Sequence, residues 1–481
     1  MCGIVGIFSH HPVAKDLYNS LIYLQHRGQD GAGILTCQQR FNVKHGLGLV
    51  QEMFNANDVL NMQGNIGIGH TRYPTAGGYE LVDLQPIWIS SPRGIAIAHN
   101  GNLTNYNELF DEIIQKHRNL SSSTDTELLL HVLADALNVA VYADLDLDFF
   151  ATLCDAVQSV FNKAKGSYSV VSVIMGKGLL AFRDPHGIRP LVIGERINQD
   201  GTKDYIIASE TSMFYALGFK SLGDVQPGEV IYITQEGMLF RQLVHQKQFS
   251  PCIFEYVYFA RPDSTLDNVN VYRARLRMGQ NLARLWQKKF PELLPDVVIP
   301  VPFTSNTAAL AFANELGIRY SEGLYKNTFI GRTFIMSDKE KRSRQVRYKL
   351  TPQEIEIKNK KVLLLDDSIV RGTTSCEIVK MIREFQAAAV YFVSACPPIT
   401  HPCVYGINIP SFKELLAANQ TVEQMRVHLD VDQLLFQTPY DLVEAVTRKG
   451  KHNIKSPCMA CMNGQYVTVD QKTEDIVTCG S

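Results

Sequence analysis

The segment Lys361-Val362-Leu363-Leu364-Leu365-Asp366-Asp367 constrains the fold of this chain more than any other. Four apolar residues in a row, without alternation, suit a strand covered on both faces. Such strands belong to parallel sheets flanked by helices. Residues 297–299 and 390–393 are further runs of the same kind, separated by helical patterns such as 376–384. The second half is therefore predicted to be α/β. Its key strand ends in two adjacent carboxylates, and Ser368-Ile369-Val370-Arg371-Gly372-Thr373-Thr374 then turns into a helix. Ligands of such sheets bind at the carboxyl ends of the strands. Backbone N–H groups and hydroxyls of Arg371 to Thr374, at a helix N-terminus, can hold a phosphate. Asp366 and Asp367 can reach ribose hydroxyls or a hard cation such as Mg²⁺.

The first half has a different texture. Residues 4–8, 65–70, 94–98, 167–174, 205–208 and 229–233 read as short strands, several punctuated by glycine. Residues 13–24 repeat Val13, Leu17 and Leu21 at helical spacing, with Gly28 as a stop signal. Thr124-Asp125-Thr126-Glu127 fits a capping box before a second helix. This half is predicted to be α+β. The polar stretch 235–251 separates the two, giving expected domains of 2–235 and 252–481.

Composition closes off other classes. The chain has 481 residues and a formal charge of −1, so no chain-wide basic field for nucleic acid is present. No apolar run is long enough for a membrane span, and the N-terminus carries no secretory pattern, so a cytoplasmic location is expected. Ten cysteines are too sparse for a disulfide scaffold and point instead to catalysis, metal or burial.

One cysteine stands at position 2. If Met1 is removed, the Cys2 thiol and its own α-amino group share one residue, and the amine can act as general base near neutral pH. The motifs His26-Arg27-Gly28-Gln29-Asp30, Gly69-His70-Thr71-Arg72-Tyr73-Pro74-Thr75 and His99-Asn100-Gly101-Asn102-Leu103 follow in order, the last two after strands. Together with Cys2 they resemble the glutaminase domain of the N-terminal-nucleophile (class II) amidotransferases, an αββα sandwich. The resemblance implies that Cys2 attacks the glutamine amide and that Asn100 and Gly101 form the oxyanion hole. It further implies that Arg72 clamps the substrate α-carboxylate, that Asp125 pairs with its α-ammonium, and that Arg27 belongs to the same subsite and fixes the local loop.

The segment from Lys361 to Thr374 resembles the phosphoribosyl diphosphate loop of the type I phosphoribosyltransferases. By that resemblance Asp366, Asp367, Ser368, Arg371, Gly372, Thr373 and Thr374 hold the substrate, with Lys326 and Arg332 as further contacts. Ser305, with Asp366 and Asp367, would coordinate Mg²⁺. Residues Ile299-Pro300-Val301-Pro302-Phe303-Thr304-Ser305 occupy the place of the pyrophosphate loop, where the family usually has an acid at the position of Phe303. The basic run containing Lys339, Lys341, Arg342, Arg344, Arg347 and Lys349 resembles the flap that closes over the substrate.

A glutaminase half followed by a phosphoribosyltransferase half resembles the amidophosphoribosyltransferases, whose reaction opens purine synthesis. Phe254 to Asp263 also matches that family; its aromatic residues would line an ammonia passage or simply form interdomain core. The resemblance implies glutamine and phosphoribosyl diphosphate as substrates, purine nucleotides as inhibitors and a homotetramer. Cys252, Cys403, Cys458 and Cys461 lie where one branch of the family holds a [4Fe–4S] cluster; a Cys₄ zinc site is the alternative. Cys396 reads as a decoy, and Cys37, Cys154, Cys376 and Cys479 as ordinary. Two other readings are a hexosamine- or asparagine-forming amidotransferase, which would lack the 366–374 loop, and a nucleotide sensor, which would need no Cys2.

Overall fold

The computed structural model describes residues 2–73, 80–138, 146–328, 346–409, 411–448 and 453–469. The strands of the first half are β1 (Gly3–Phe8), β2 (Gly31–Cys37), β3 (Phe41–Leu47), β4 (Ile66–Arg72), β5 (Ile87–Ile89), β6 (Ile95–Leu103), β7 (Gly166–Ile174), β8 (Gly178–Arg183), β9 (Val192–Ile197), β10 (Lys203–Ala208), β11 (Lys220–Asp224), β12 (Glu229–Thr234) and β13 (Leu239–Leu243). They form two antiparallel sheets, ordered β11-β9-β10-β1-β4-β2-β3 and β13-β12-β8-β7-β6-β5.

Alternation along each strand explains the layering. Ile4 and Phe8 of β1 join Ala96, Ala98, Val171 and Val173 in the core between the sheets. Val5 and Ile7 face the other way, onto Leu17 and Leu21 of the helix Ala14–Leu24. Ile95, Ile97 and Val170 on the second sheet face Leu129 and Leu133 of the helix Asp125–Asn138. The result is helix, sheet, sheet, helix, the αββα sandwich expected. These strands are buried on both faces although antiparallel, because each sheet has a second layer on either side.

After the sandwich come β14 (Thr265–Leu266), β15 (Val269–Asn270), β16 (Val297–Pro300), β17 (Arg319–Tyr320), β18 (Leu324–Lys326), β19 (Leu350–Pro352), β20 (Lys361–Asp366), β21 (Ala389–Ser394) and β22 (Gln433–Phe436). A five-stranded sheet, β17-β16-β20-β21-β22, is parallel throughout. Val362 and Leu364 face a core with Ile378 and Ile382, while Leu363 and Leu365 face Trp286 and Phe312 on the other side. The unbroken apolar run of β20 is thus consumed on both faces, as predicted.

Four local expectations change. The asparagine–glycine motif does not follow a strand: β6 runs on through Asn100 and Gly101, because pairing with β7 continues to Leu103. Likewise β4 extends to Arg72, held by its pairing with β2. The helix at Asp125 starts where expected, but the Glu127 carboxylate accepts from the N–H groups of Ser121 and Ser122 rather than closing a box on Thr124. Strand β13 pairs with β12, so the second sheet of the sandwich runs past residue 235 to Leu243 and the connector is shorter than 235–251. Among the described residues no helix is long and apolar enough to cross a membrane.

Candidate active site

Cys2 sits at the open end of β1, a central strand of its sheet. Its N–H donates to Asn100 Oδ1 at 3.2 Å, and its thiol lies 3.6 Å from the carbonyl oxygen of Tyr73. Asn100 is buried, and its Nδ2 makes no hydrogen bond within the described protein. A buried amide donor without a partner is unfavourable in a resting protein. Beside the Cys2 thiol it is a donor open to an anionic oxygen. Next to it, Gly101 cannot be any other residue: an added Cβ would stand 1.9 Å from the Ser167 carbonyl oxygen.

Strand register assembles the rest of this end. Gly3 pairs with Thr71, so Arg72, 5% exposed, falls beside Cys2 in the next position. Asp125 accepts from the Leu103 N–H at 3.0 Å, which fixes it at the end of β6, and its other oxygen lies 3.7 Å from His99 Nδ1. Burial pushes the His99 pKa down despite Asp125. Arg72, Asn100, Gly101 and Asp125 are therefore brought to one strand-end cluster around Cys2.

Arg27 is placed differently from a substrate contact. Its guanidinium, fully buried, donates from Nε to Glu210 and from Nη2 to Glu255 at 2.7 Å. Glu210 also takes His26 Nε2 at 2.7 Å, the Arg261 N–H at 3.0 Å and Ser264 Oγ at 2.7 Å. Burial opposes the charge on Glu210, but Arg27 and His26 outweigh it and hold the carboxyl well below the usual range. The resemblance put Arg27 in the glutamine subsite; in the fold its guanidinium is taken up by Glu210 and Glu255. Gly28 is not a helix stop: a Cβ there would meet the Arg72 backbone at 2.5 Å, so the loop needs glycine to lie against β4.

A cavity of about 660 Å³ extends from Tyr73, the residue after β4, to the carboxyl end of β20 in the parallel sheet. His26, Arg27 and Tyr73 line one side; Asp366, Asp367 and the turn through Thr374 line the other. Between them stand Phe254, Tyr258 and Phe259, with the last two rings edge to face at 4.9 Å.

At the far end, Asp366 and Asp367 leave β20 where predicted. Burial, and then Asp367, pushes the Asp366 carboxyl well above the usual range. Burial likewise raises Asp367 to about 6, against the opposing pull of Ser368 and Arg275. Two adjacent buried carboxylates resist joint ionisation. Ser305 Oγ donates to Asp366 at 3.4 Å and Ser368 Oγ to Asp367 at 2.7 Å. Gly372 caps the helix Thr373–Glu384 at φ 77°, where no side chain caps the first N–H groups. Those groups and the Thr373 and Thr374 hydroxyls lie on the cavity wall, where they can hold an anion. Arg371, also on the cavity wall, is held by Glu414 at 2.7 Å. Lys326 lies 5.1 Å from the Phe303 ring centre, so an aromatic face meets the ammonium where an acid was expected. Pro74, Thr75, Arg332, Lys339, Lys341, Arg342, Arg344 and Cys479 lie outside the described residues. Arg347 pairs with Glu384.

The four candidate cluster cysteines share one buried neighbourhood. The backbones of Cys252 and Cys458 pair in an isolated parallel β-bridge, and Ile253 N–H donates to the Cys458 carbonyl at 3.2 Å. Burial raises the thiols of Cys252, Cys458 and Cys461; Cys403 acts on all three, Cys252 on Cys458 and Cys461, and Cys458 on Cys461. Arg189, fully buried, faces Cys252, Cys403 and Cys458. Cys396 also belongs to this neighbourhood. Among the described residues no three such side chains form a ready-made metal shell.

Sequence reasoning missed Glu210, Glu255 and residues 404–406. Asn102 Nδ2 donates to the Val404 carbonyl and Ser167 Oγ to that of Tyr405, both at 3.0 Å. A Cβ on Gly406 would meet the Gly101 carbonyl at 2.7 Å. Glu255 sits in the noted 254–263 segment; Glu210 has no local pattern that would mark it.

Residues 81–216 match the glutamine amidotransferase domain family. The amidophosphoribosyltransferase of Pseudomonas aeruginosa is 46% identical over 98% of this chain and 93% of the relative; that of Escherichia coli K12 is 45% identical over the same shares. The solved structure of glutamine phosphoribosylpyrophosphate amidotransferase from Bacillus subtilis, complexed with ADP and GMP, matches 99% of both chains at 35% identity and a TM-score of 0.85. With likeness of this extent in both sequence and fold, the chain belongs to the amidophosphoribosyltransferase family.

Proposed function

We propose that this chain moves the amide nitrogen of glutamine to C1 of phosphoribosyl diphosphate, making 5-phosphoribosylamine in the first committed step of purine synthesis. The single cavity walled by Tyr73 at one end and Asp366 at the other carries this reading. The Cys2 thiol, deprotonated by its own amine once Met1 is gone, attacks the glutamine side-chain carbonyl. Charge forming on that oxygen is met by Asn100 Nδ2 and the Gly101 N–H. Ammonia leaves, and water then cleaves the thioester to give glutamate. The aromatic middle of the cavity keeps the ammonia from bulk water. At the far end its lone pair forms the bond to C1 as the bond from C1 to the diphosphate oxygen breaks. Arg72 and Asp125 orient glutamine; the turn from Ser368 to Thr374, with Lys326, holds the phosphates.

Mg²⁺ held by Ser305, Asp366 and Asp367 would supply charge neutralisation for the leaving diphosphate. The adjacent carboxyls and the Ser305 hydroxyl beside Asp366 are the hard oxygen donors such a cation takes. For the cysteines, four thiols with a buried guanidinium beside them fit a [4Fe–4S] cluster, which would act as a structural clasp. Binding would deprotonate the thiols and draw them together. Purine nucleotides, as carried by the Bacillus subtilis relative, are the proposed inhibitors, and a homotetramer the proposed assembly.

Cys2→Ala tests the two-site reading. Glutamine-dependent synthesis should vanish while ammonia-dependent synthesis persists; loss of both in a folded protein sinks it. An iron assay tests the cluster: Cys403→Ser should bleach a brown protein, whereas a colourless, zinc-loaded wild type rejects it.

A further inference from the structure

On the side of the helix Val271–Lys289 near its start lies a second cavity, of about 500 Å³, separate from the active site. Three guanidinium groups line it: Arg273 and Arg277 from that helix, and Arg448 from the end of the helix Pro439–Thr447. Asn268, Asn270 and Gln280 add amides. No carboxylate lies within ion-pair distance of any of the three arginines among the described residues. Other arginines of this half are matched: Arg284 with Glu315, Arg319 with Glu356, Arg347 with Glu384 and Arg371 with Glu414. The one acid nearby, Glu444, is taken up by Asn281 Nδ2 at 2.9 Å.

Arg273 and Arg448 are exposed, whereas Arg277 between them is half-buried and held in place. The Nε of Arg277 donates to the Ala445 carbonyl, which ties the side chain across the two helices. Burial, followed by repulsion from Arg448, pulls the Arg277 pKa down. Arg448 itself has φ 49°, a left-handed helix end that favours glycine. The chain accepts a strained backbone there and keeps a guanidinium. Guanidinium forks converging on a pocket, with no carboxylate in ion-pair contact, are complementary to a phosphoryl group.

We infer that this cavity is a binding site for a phosphoryl anion, distinct from the phosphoribosyl site at Asp366 to Thr374. The ligand is either an inorganic phosphate species or a nucleoside phosphate, which present the same group to the arginines.

Titration of the full chain with inorganic pyrophosphate and, separately, with AMP tests this. The wild type should show a class of sites that Arg273→Gln/Arg448→Gly weakens at least tenfold, with ammonia-dependent synthesis unchanged. Loss in the pyrophosphate titration identifies an inorganic anion, and loss only in the AMP titration a nucleoside phosphate; either supports the site. Arg448→Gly alone relieves the backbone, so it should melt higher than wild type in phosphate-free buffer while losing the stabilisation that pyrophosphate or AMP brings. Unchanged binding of both probes in the double variant overturns the proposal. So does a changed sedimentation coefficient with unchanged binding, which would make the cavity a contact between copies of the chain.

Discussion

The two candidate sites, the glutaminase end around Cys2 and the phosphoribosyl end at Asp366, are built in opposite ways. At the phosphoribosyl end the functional groups are contiguous: Asp366 to Thr374 come from one strand, one turn and one helix start. At the glutaminase end Cys2, Arg72, Asn100 and Asp125 come from three strand ends and a helix, and only pairing of β1 with β4 and of β6 with β7 brings them together. A contiguous site is positioned by local backbone geometry. A dispersed one depends on register, and on whatever braces the strands from outside. The dispersed end should therefore be the more sensitive to changes at residues that touch no substrate.

Arg27→Met gives the largest expected effect. It strands Glu210 and Glu255 as buried charges, and losing one partner of a buried ion pair destabilises by about 3–5 kcal/mol. Chemical denaturation would measure it; a loss below about 1 kcal/mol, the range of exposed pairs, would show the bracing to be superficial. Asn100→Ala comes next, with a fall in glutamine-dependent kcat of about 10²–10³, or roughly 2.7–4 kcal/mol. Ammonia-dependent turnover should be unaffected, so parallel assays with the two nitrogen donors isolate the dispersed end. Gly28→Ala pushes the loop off the Arg72 backbone and should destabilise by about 1–3 kcal/mol, as overpacking does. A raised KM for glutamine with unchanged KM for phosphoribosyl diphosphate would place the damage at Arg72.

The smallest effect is a pH dependence at the contiguous end. Asp367, at about 6 in the folded chain, stands above its ordinary value. The metal-free folded state then binds more protons than the unfolded one between about 4 and 6, so its stability falls as pH rises through that window. Asp367→Asn removes this loss. Its thermal midpoint, relative to wild type, should rise by a few degrees between pH 4 and pH 7 without Mg²⁺. A constant difference would mean that the carboxyl is already ionised at low pH.

The same contrast governs what a sequence discloses. Asp366 to Thr374 could be read directly, because apolar run, carboxylates and glycine–threonine turn share one stretch. Cys2, Asn100 and Arg72 were found through motifs, yet both strands were ended too early, since cross-strand pairing through polar residues leaves no apolar signature. Glu210 was invisible: a buried acid is recognised by its partners, and Arg27, His26 and Ser264 are remote in the chain. Phe303 was seen as a departure, but its meeting with Lys326 needed coordinates.

The contact of Gly406 with Gly101 reaches beyond catalysis. A loop from the second half forms the floor beneath the anion-stabilising strand of the first. Cutting the gene between the halves would yield a glutaminase fragment whose reactive pocket lacks its underside. The two halves must have been refined together, and transplanting either onto a new partner would require carrying residues 401–409 along with the sandwich.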